Sequence, residues 1–175
     1  MSKQEPPDTF KQQHEALIRA FCALCGIEGE ADNLLKGGPL AVNDVVFSIS
    51  HNAEISPHAI LIYCDFGTVE EGREAEAYRA LLEANMVMYS ANGPMYTVSP
   101  LTGRVVFANS YPLEALDARA LRNVLARLAG MSKAWHQSQF LQNPPLRAKA
   151  VQAGTLMQRQ FGHALLDSDP ELDAS

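Results

Sequence analysis

Three cysteines and five histidines are the residues of this chain whose types could carry chemistry. Cys22 and Cys25 have the Cys-x-x-Cys spacing of redox and zinc sites. They fall inside a predicted helix, however, not at a helix N-terminus after a strand, where the dipole would lower a thiol pKa. Cys25 sits on that helix's apolar stripe, so the pair reads as small core hydrophobes. Zinc would need two further ligands, and Cys64 with His14 is the one pairing on offer, without a second Cys-x-x-Cys or a His-x-His. His51 and His58 flank a loop that also holds Asn52 and Glu54, the residue types of a metal or acid–base cluster; two histidines in a solvated turn are the commoner occurrence. His14 lies on the inner stripe of the first helix, as a satisfied core or interface histidine. Glu70 with Glu71 and Glu74 with Glu76 read as a solvated helix face. No Gly-rich phosphate loop followed by Lys occurs, and no Gly-x-Ser-x-Gly. The reading is therefore of no enzyme, no cofactor and no metal, which leaves binding.

The balance of the chain points the same way. Hydrophobic residues make up 47% of 175 positions, enough for one domain with a buried core. Net charge is −6 and the isoelectric point about 5.3, which disfavours nucleic acid and anionic membrane as partners and suits a neutral or basic protein. With no apolar leader and no apolar run near the roughly 18 residues that cross a bilayer, the expected location is the cytoplasm. There the cysteines need not pair.

The elements that would present a binding surface follow from periodicity. Residues 1–7, ending in Pro6-Pro7, read as a flexible arm. Thr9 with Gln12 has capping-box spacing, and Phe10, His14, Leu17, Phe21 and Leu24 recur at helical intervals, predicting a first helix over Phe10 to Cys25 that Gly26 stops. Gly26 to Pro39 shows no period. Leu40 to Val42 is a short strand, Asn43-Asp44 a tight turn, and Val45 to Ser50 an alternating strand with one wet face. Ala59 to Phe66 is apolar on both faces, so it is either central in a covered sheet or offers apolar surface to a partner. Thr68 with Glu71 suggests a helix start, and Tyr78, Leu81, Leu82 and Asn85 share a face that continues to Met86 and Met88. After the break at Gly93-Pro94, Met95 to Ser99 and Arg104 to Ser110 form a hairpin around Pro100-Leu101-Thr102-Gly103. Asp117 caps a last core helix with Leu121, Val124, Leu125, Leu128, Met131 and Trp135 on its stripe. The order is α-β-β-β-α-β-β-α, a twisted antiparallel sheet with helices on it, in the α+β class. Residues 8–143 form the domain. Residues 144–175 are a C-terminal extension, in which Leu146 to Leu166 has an amphipathic pattern interrupted by Gly154 and Gly162, before an acidic tail expected to be disordered.

The conjunction of LLEAN at Leu81 to Asn85, Gly93-Pro94, and SPLTGRVVF at Ser99 to Phe107 resembles the class I type III secretion chaperones, the CesT or Tir-chaperone family. The similarity extends more loosely from about Phe10 to Trp135. It implies a bacterial cytoplasmic homodimer whose central helix and hairpin lie near the two-fold axis, with Tyr78, Leu81, Leu82 and Met86 as dimer interface. It also implies a client, the N-terminal region of a secreted effector held extended and secretion-competent without nucleotide hydrolysis, in a groove formed by Phe10, Leu17, Phe21, Val46, Ser48 and Leu61. The extension from Asn143 onward is longer than compact members carry, and capping the groove, docking the secretion ATPase and no role at all are the alternatives for it. An immunity- or inhibitor-type protein binding one folded partner is the alternative.

Overall fold

A computed structural model describes residues 7–88, 93–139 and 141. The expectations for the N-terminal arm before Pro7 and for the extension 144–175 lie outside these residues. The elements are α1 (Pro7–Cys25), α2 (Ala31–Leu35), β1 (Pro39–Val42), β2 (Val45–His51), β3 (Ala59–Gly67), α3 (Glu74–Met88), β4 (Met95–Val98), β5 (Val105–Pro112) and α4 (Ala118–Ser138). The predicted α+β order holds, with one addition: a 3-10 turn at Glu28–Glu30 leads into α2, which buries Ala31 and Leu34. A five-residue helix is too short to show a period.

The strands form one antiparallel sheet in the order β1-β2-β3-β5-β4. Register divides its residues between two faces, because consecutive side chains point to opposite sides. Leu40, Phe47, Cys64, Phe107 and Tyr96 form one row across all five strands. The adjoining row, Pro39, Ser48, Tyr63, Ala108 and Met95, faces the other way. α4 lies over β3 on the first face, α1 packs against α4, and α3 packs on β4 at the sheet's edge. The core sits in this layer. Phe66 is its centre: its ring meets Tyr96 edge-on at 5.4 Å, Phe107 at 5.8 Å and Trp135 at 6.0 Å, and β3 buries Ile60, Ile62, Cys64 and Phe66 completely. Such aromatic pairs add roughly 0.5–1.5 kcal/mol each to the area they bury.

Local chemistry explains most boundaries. Gly26 ends α1 at φ +69°, where a side chain would be strained. Asn43 and Asp44, at φ +50° and +64°, make the two-residue turn between β1 and β2. Asp117 caps α4 by accepting from the Ala120 N–H at 2.6 Å. Two expected caps are corrected. Thr9 lies inside α1, which begins at Pro7, where a proline costs no hydrogen bond. Thr68 does not start α3: Gly72, at φ +82°, breaks the chain and the helix begins at Glu74.

At the end of β3 the ladder skips a residue between Asp65 and Gly67, a bulge that the Ser132 hydroxyl secures by donating to the Asp65 carbonyl at 3.1 Å. Asp65 in turn accepts from the Gly67 N–H at 2.7 Å and from the Arg104 guanidinium at 2.7 and 3.0 Å.

Candidate protein-binding surfaces

The chemistry-bearing residues disperse. Cys22 and Cys64 are buried and Cys25 is exposed. Burial pushes the Cys22 thiol up and the Cys64 thiol up to about 12, so both are protonated at neutral pH. His51 and His58 do not converge: His51 Nε2 donates to the Pro57 carbonyl at 2.6 Å, while His58 is exposed. Asn52 organises the loop between them, its side-chain oxygen accepting from the Glu54 and Ile55 N–H groups at 3.0 Å. His14 instead meets His51, with ring centroids 5.0 Å apart. It is buried, and its Nε2 has no hydrogen-bond partner among the described residues, so of the two readings, a satisfied core or an interface histidine, the first does not hold. Among those residues no three His, Cys, Asp or Glu side chains gather as metal ligands. No described helix is long and apolar enough to cross a membrane.

Apolar surface is concentrated elsewhere, in two places. The first is the junction of α3 with β4. The Asn85 side chain donates to the Tyr96 carbonyl at 2.9 Å and accepts from the Tyr96 N–H at 2.6 Å, clamping helix to strand. Beside the clamp, Tyr78, Leu81, Leu82, Tyr96, Thr97 and Val98 line a cleft of about 240 Å³. Leu82 on its rim is 68% exposed, and Met86, Val87, Met95 and Val98 extend the exposed apolar area around it. Three of the four residues expected at a dimer interface, Tyr78, Leu81 and Leu82, therefore share this cleft, and Met86 follows one turn beyond Leu82. Leu81 is 4% exposed and belongs to the core as well. Tyr96 and Val98 were missed; their alternation in a four-residue strand carried too little signal.

The second is the outer sheet face, which no described helix covers. Val46 (46% exposed) and Tyr63 (37%) stand on it, with Met95 at its β4 edge, while Ser48 and Leu61 are half-buried. Here the structure separates the six residues expected to form one groove. Val46, Ser48 and Leu61 share the outer face. Leu17 and Phe21 are sealed against the opposite face, at 7% and 2% exposure, and Phe10 packs half-buried at the margin of that core. The sheet itself lies between the two sets. Helical periodicity identifies an apolar stripe without saying whether the chain's own core or a partner covers it.

Apolar area and the outer edge of β1, which pairs with no other described strand, are the means of holding polypeptide, and they define a protein-binding domain of the α+β class. The Tir chaperone protein (CesT) family model matches residues 16–136, and the chain belongs to that family, the chaperones of type III secretion. No curated protein matches the sequence significantly. In fold, the chain is similar to one in the ExsC–ExsE complex, at 16% identity and TM-score 0.55 over 73% of this chain and 93% of that one. It is similar to one in the HopA1–SchA chaperone–effector complex at 14% identity and TM-score 0.55, covering 75% of this chain and 99% of that one. A third likeness is to a structure of the Yersinia pestis type III secretion chaperone SycH with a fragment of YscM2, at 13% identity and TM-score 0.51 over 69% and 98% of the two chains.

Proposed function

We propose that this protein is a cytoplasmic type III secretion chaperone that works as a homodimer and holds the N-terminal region of a secreted effector in extended form, without catalysis of its own. The observation that carries the reading is the division of its apolar surface. One sheet face is filled by α1 and α4, while the opposite face and the α3–β4 cleft remain uncovered in a single described chain.

Two coverings suit the two surfaces. A second copy fits the cleft, because Leu82, Met86 and Val98 project from one edge and a two-fold axis would bring each set against its counterpart. An extended client fits the outer face. Val46, Leu61 and Tyr63 offer shallow apolar contacts, and the edge strand β1 can add a client strand by backbone hydrogen bonding. Ordering an extended segment costs conformational entropy, so the client must wrap a large area for useful affinity; an unfolded segment can do so without any step driven by nucleotide.

The test is co-expression with the effector encoded nearest to its gene, followed by sedimentation and limited proteolysis. Two copies of the chain with a protected, extended N-terminal effector fragment is the expected result. A monomer that leaves the effector unbound overturns the proposal, and a protected fragment that is globular points to an inhibitor of one folded partner.

A further inference from the structure

Where α1 meets the end of β2, the inner face of the sheet carries polar side chains among its apolar ones: Asn109 in the row of Ile49 and Ile62 and, beyond it, His51 and Tyr111. His51, Ile60 and Tyr111 form the terminal cross-strand row there, and His14 descends from α1 onto His51 with ring planes 34° apart. Two buried polar atoms at this end have no hydrogen-bond partner among the described residues, His14 Nε2 and the Tyr111 hydroxyl. The Pro57 carbonyl can only accept, so His51 Nε2 carries a hydrogen. At this end two titratable rings meet between α1 and β2, beyond the apolar core that holds Leu17, Ile18 and Phe21 with Phe47 and Ile49.

We propose that His14, seated against His51, is a proton-operated latch: α1 stays on the sheet while the buried His14 ring is neutral, and acid releases its N-terminal half. A cation on His14 would be buried, with an unpartnered nitrogen and a second imidazole beside it. His14 is held down at about 4 against an ordinary 6.5, first by burial and then by His51, and Glu15 beside it pulls weakly the other way. Charges on the other elements packed against α1 stand in solvent: Glu28, Glu30 and Asp32 around α2, Glu114 in the turn before α4, and the arginines of α4. None lies buried against His14 to stabilise an imidazolium. When the latch opens, Phe10 and Leu17, one turn to either side of His14 on the same stripe, lose their cover. Acid therefore adds apolar surface on the face that the chain otherwise fills itself.

The sign is fixed by linkage. His14 is neutral in the seated state and binds a proton when released, so opening becomes easier as pH falls. Between about 6.5 and about 4 the opening equilibrium of α1 rises by up to about tenfold per pH unit. Hydrogen exchange of the full chain from pH 7.5 to 4.5, corrected for intrinsic exchange, reads this directly. Amides of α1 lose protection on that slope while those of β3 and α4 keep theirs, and His14→Phe abolishes the slope. Loss of protection in all three elements together overturns the proposal, as does an unchanged slope in His14→Phe. Should that variant fail to fold, an NMR titration of the wild-type imidazoles decides. A His14 that titrates far below free histidine, together with α1 amide shifts, supports the latch; a His14 that titrates near 6.5 ends it.

Discussion

Asn85 and Tyr96 are joined by a pair of hydrogen bonds in which one side-chain amide satisfies both backbone groups of one residue, at 2.9 and 2.6 Å. This clamp does for α3 and β4 what a backbone ladder does for two strands. Asn85→Ala removes both bonds and leaves a carbonyl and an N–H of Tyr96 in need of water, a loss of about 2 kcal/mol in urea unfolding. Asn85→Asp loses comparably, since a carboxylate can accept from the N–H and only repel the carbonyl. Both variants widen the cleft, and sedimentation should show weaker dimerisation in proportion.

Leu82 and its neighbour Leu81 separate dimerisation from folding. Leu82 is 68% exposed in the single chain, so Leu82→Glu changes monomer stability by less than about 0.5 kcal/mol and yields a folded monomer by sedimentation. Leu81 is 4% exposed, and Leu81→Ala costs about 2–4 kcal/mol of unfolding free energy through the cavity it leaves. A Leu82→Glu variant that remains dimeric would remove the cleft as the interface.

On the outer sheet face, Val46→Asp with Tyr63→Glu is expected to leave the thermal midpoint and the dimer unchanged while abolishing capture of the effector segment. Both positions are partly solvated, and neither contributes to the layer between sheet and helices. Retained capture at wild-type affinity would move the client to another surface.

Gly67 tests the bulge that seats α4. Its φ is +90°, and a Cβ there would run into the His136 ring. Gly67→Ala is therefore expected to cost about 1–3 kcal/mol by chemical denaturation. Adding His136→Ala relieves the clash and leaves the backbone strain, so the double variant should recover part of the loss and not all of it.

What the sequence determined by itself was local. Hydrophobic spacing of 3.6 and of 2 set α1, β2, β3 and α4 within a residue or two, except that α1 starts three residues before its expected first residue; Asn43-Asp44, Pro100 to Gly103 and Asp117 marked turns and a cap; and LLEAN with SPLTGRVVF carried the family. The start of α3 was misread because a capping box is a pattern of two side chains, whereas Gly72 acts through backbone conformation. What only the tertiary structure decided was facing. Leu17 and Val46 are both apolar and both stood as groove residues, yet α4 packs alongside the helix of one and nothing described covers the strand face of the other. The meeting of His14 with His51, and of Asn85 with Tyr96, is likewise a matter of which elements cross. Periodicity reports the direction of a side chain relative to its own helix or strand, and the element that comes to lie against it is chosen by the packing of the whole sheet.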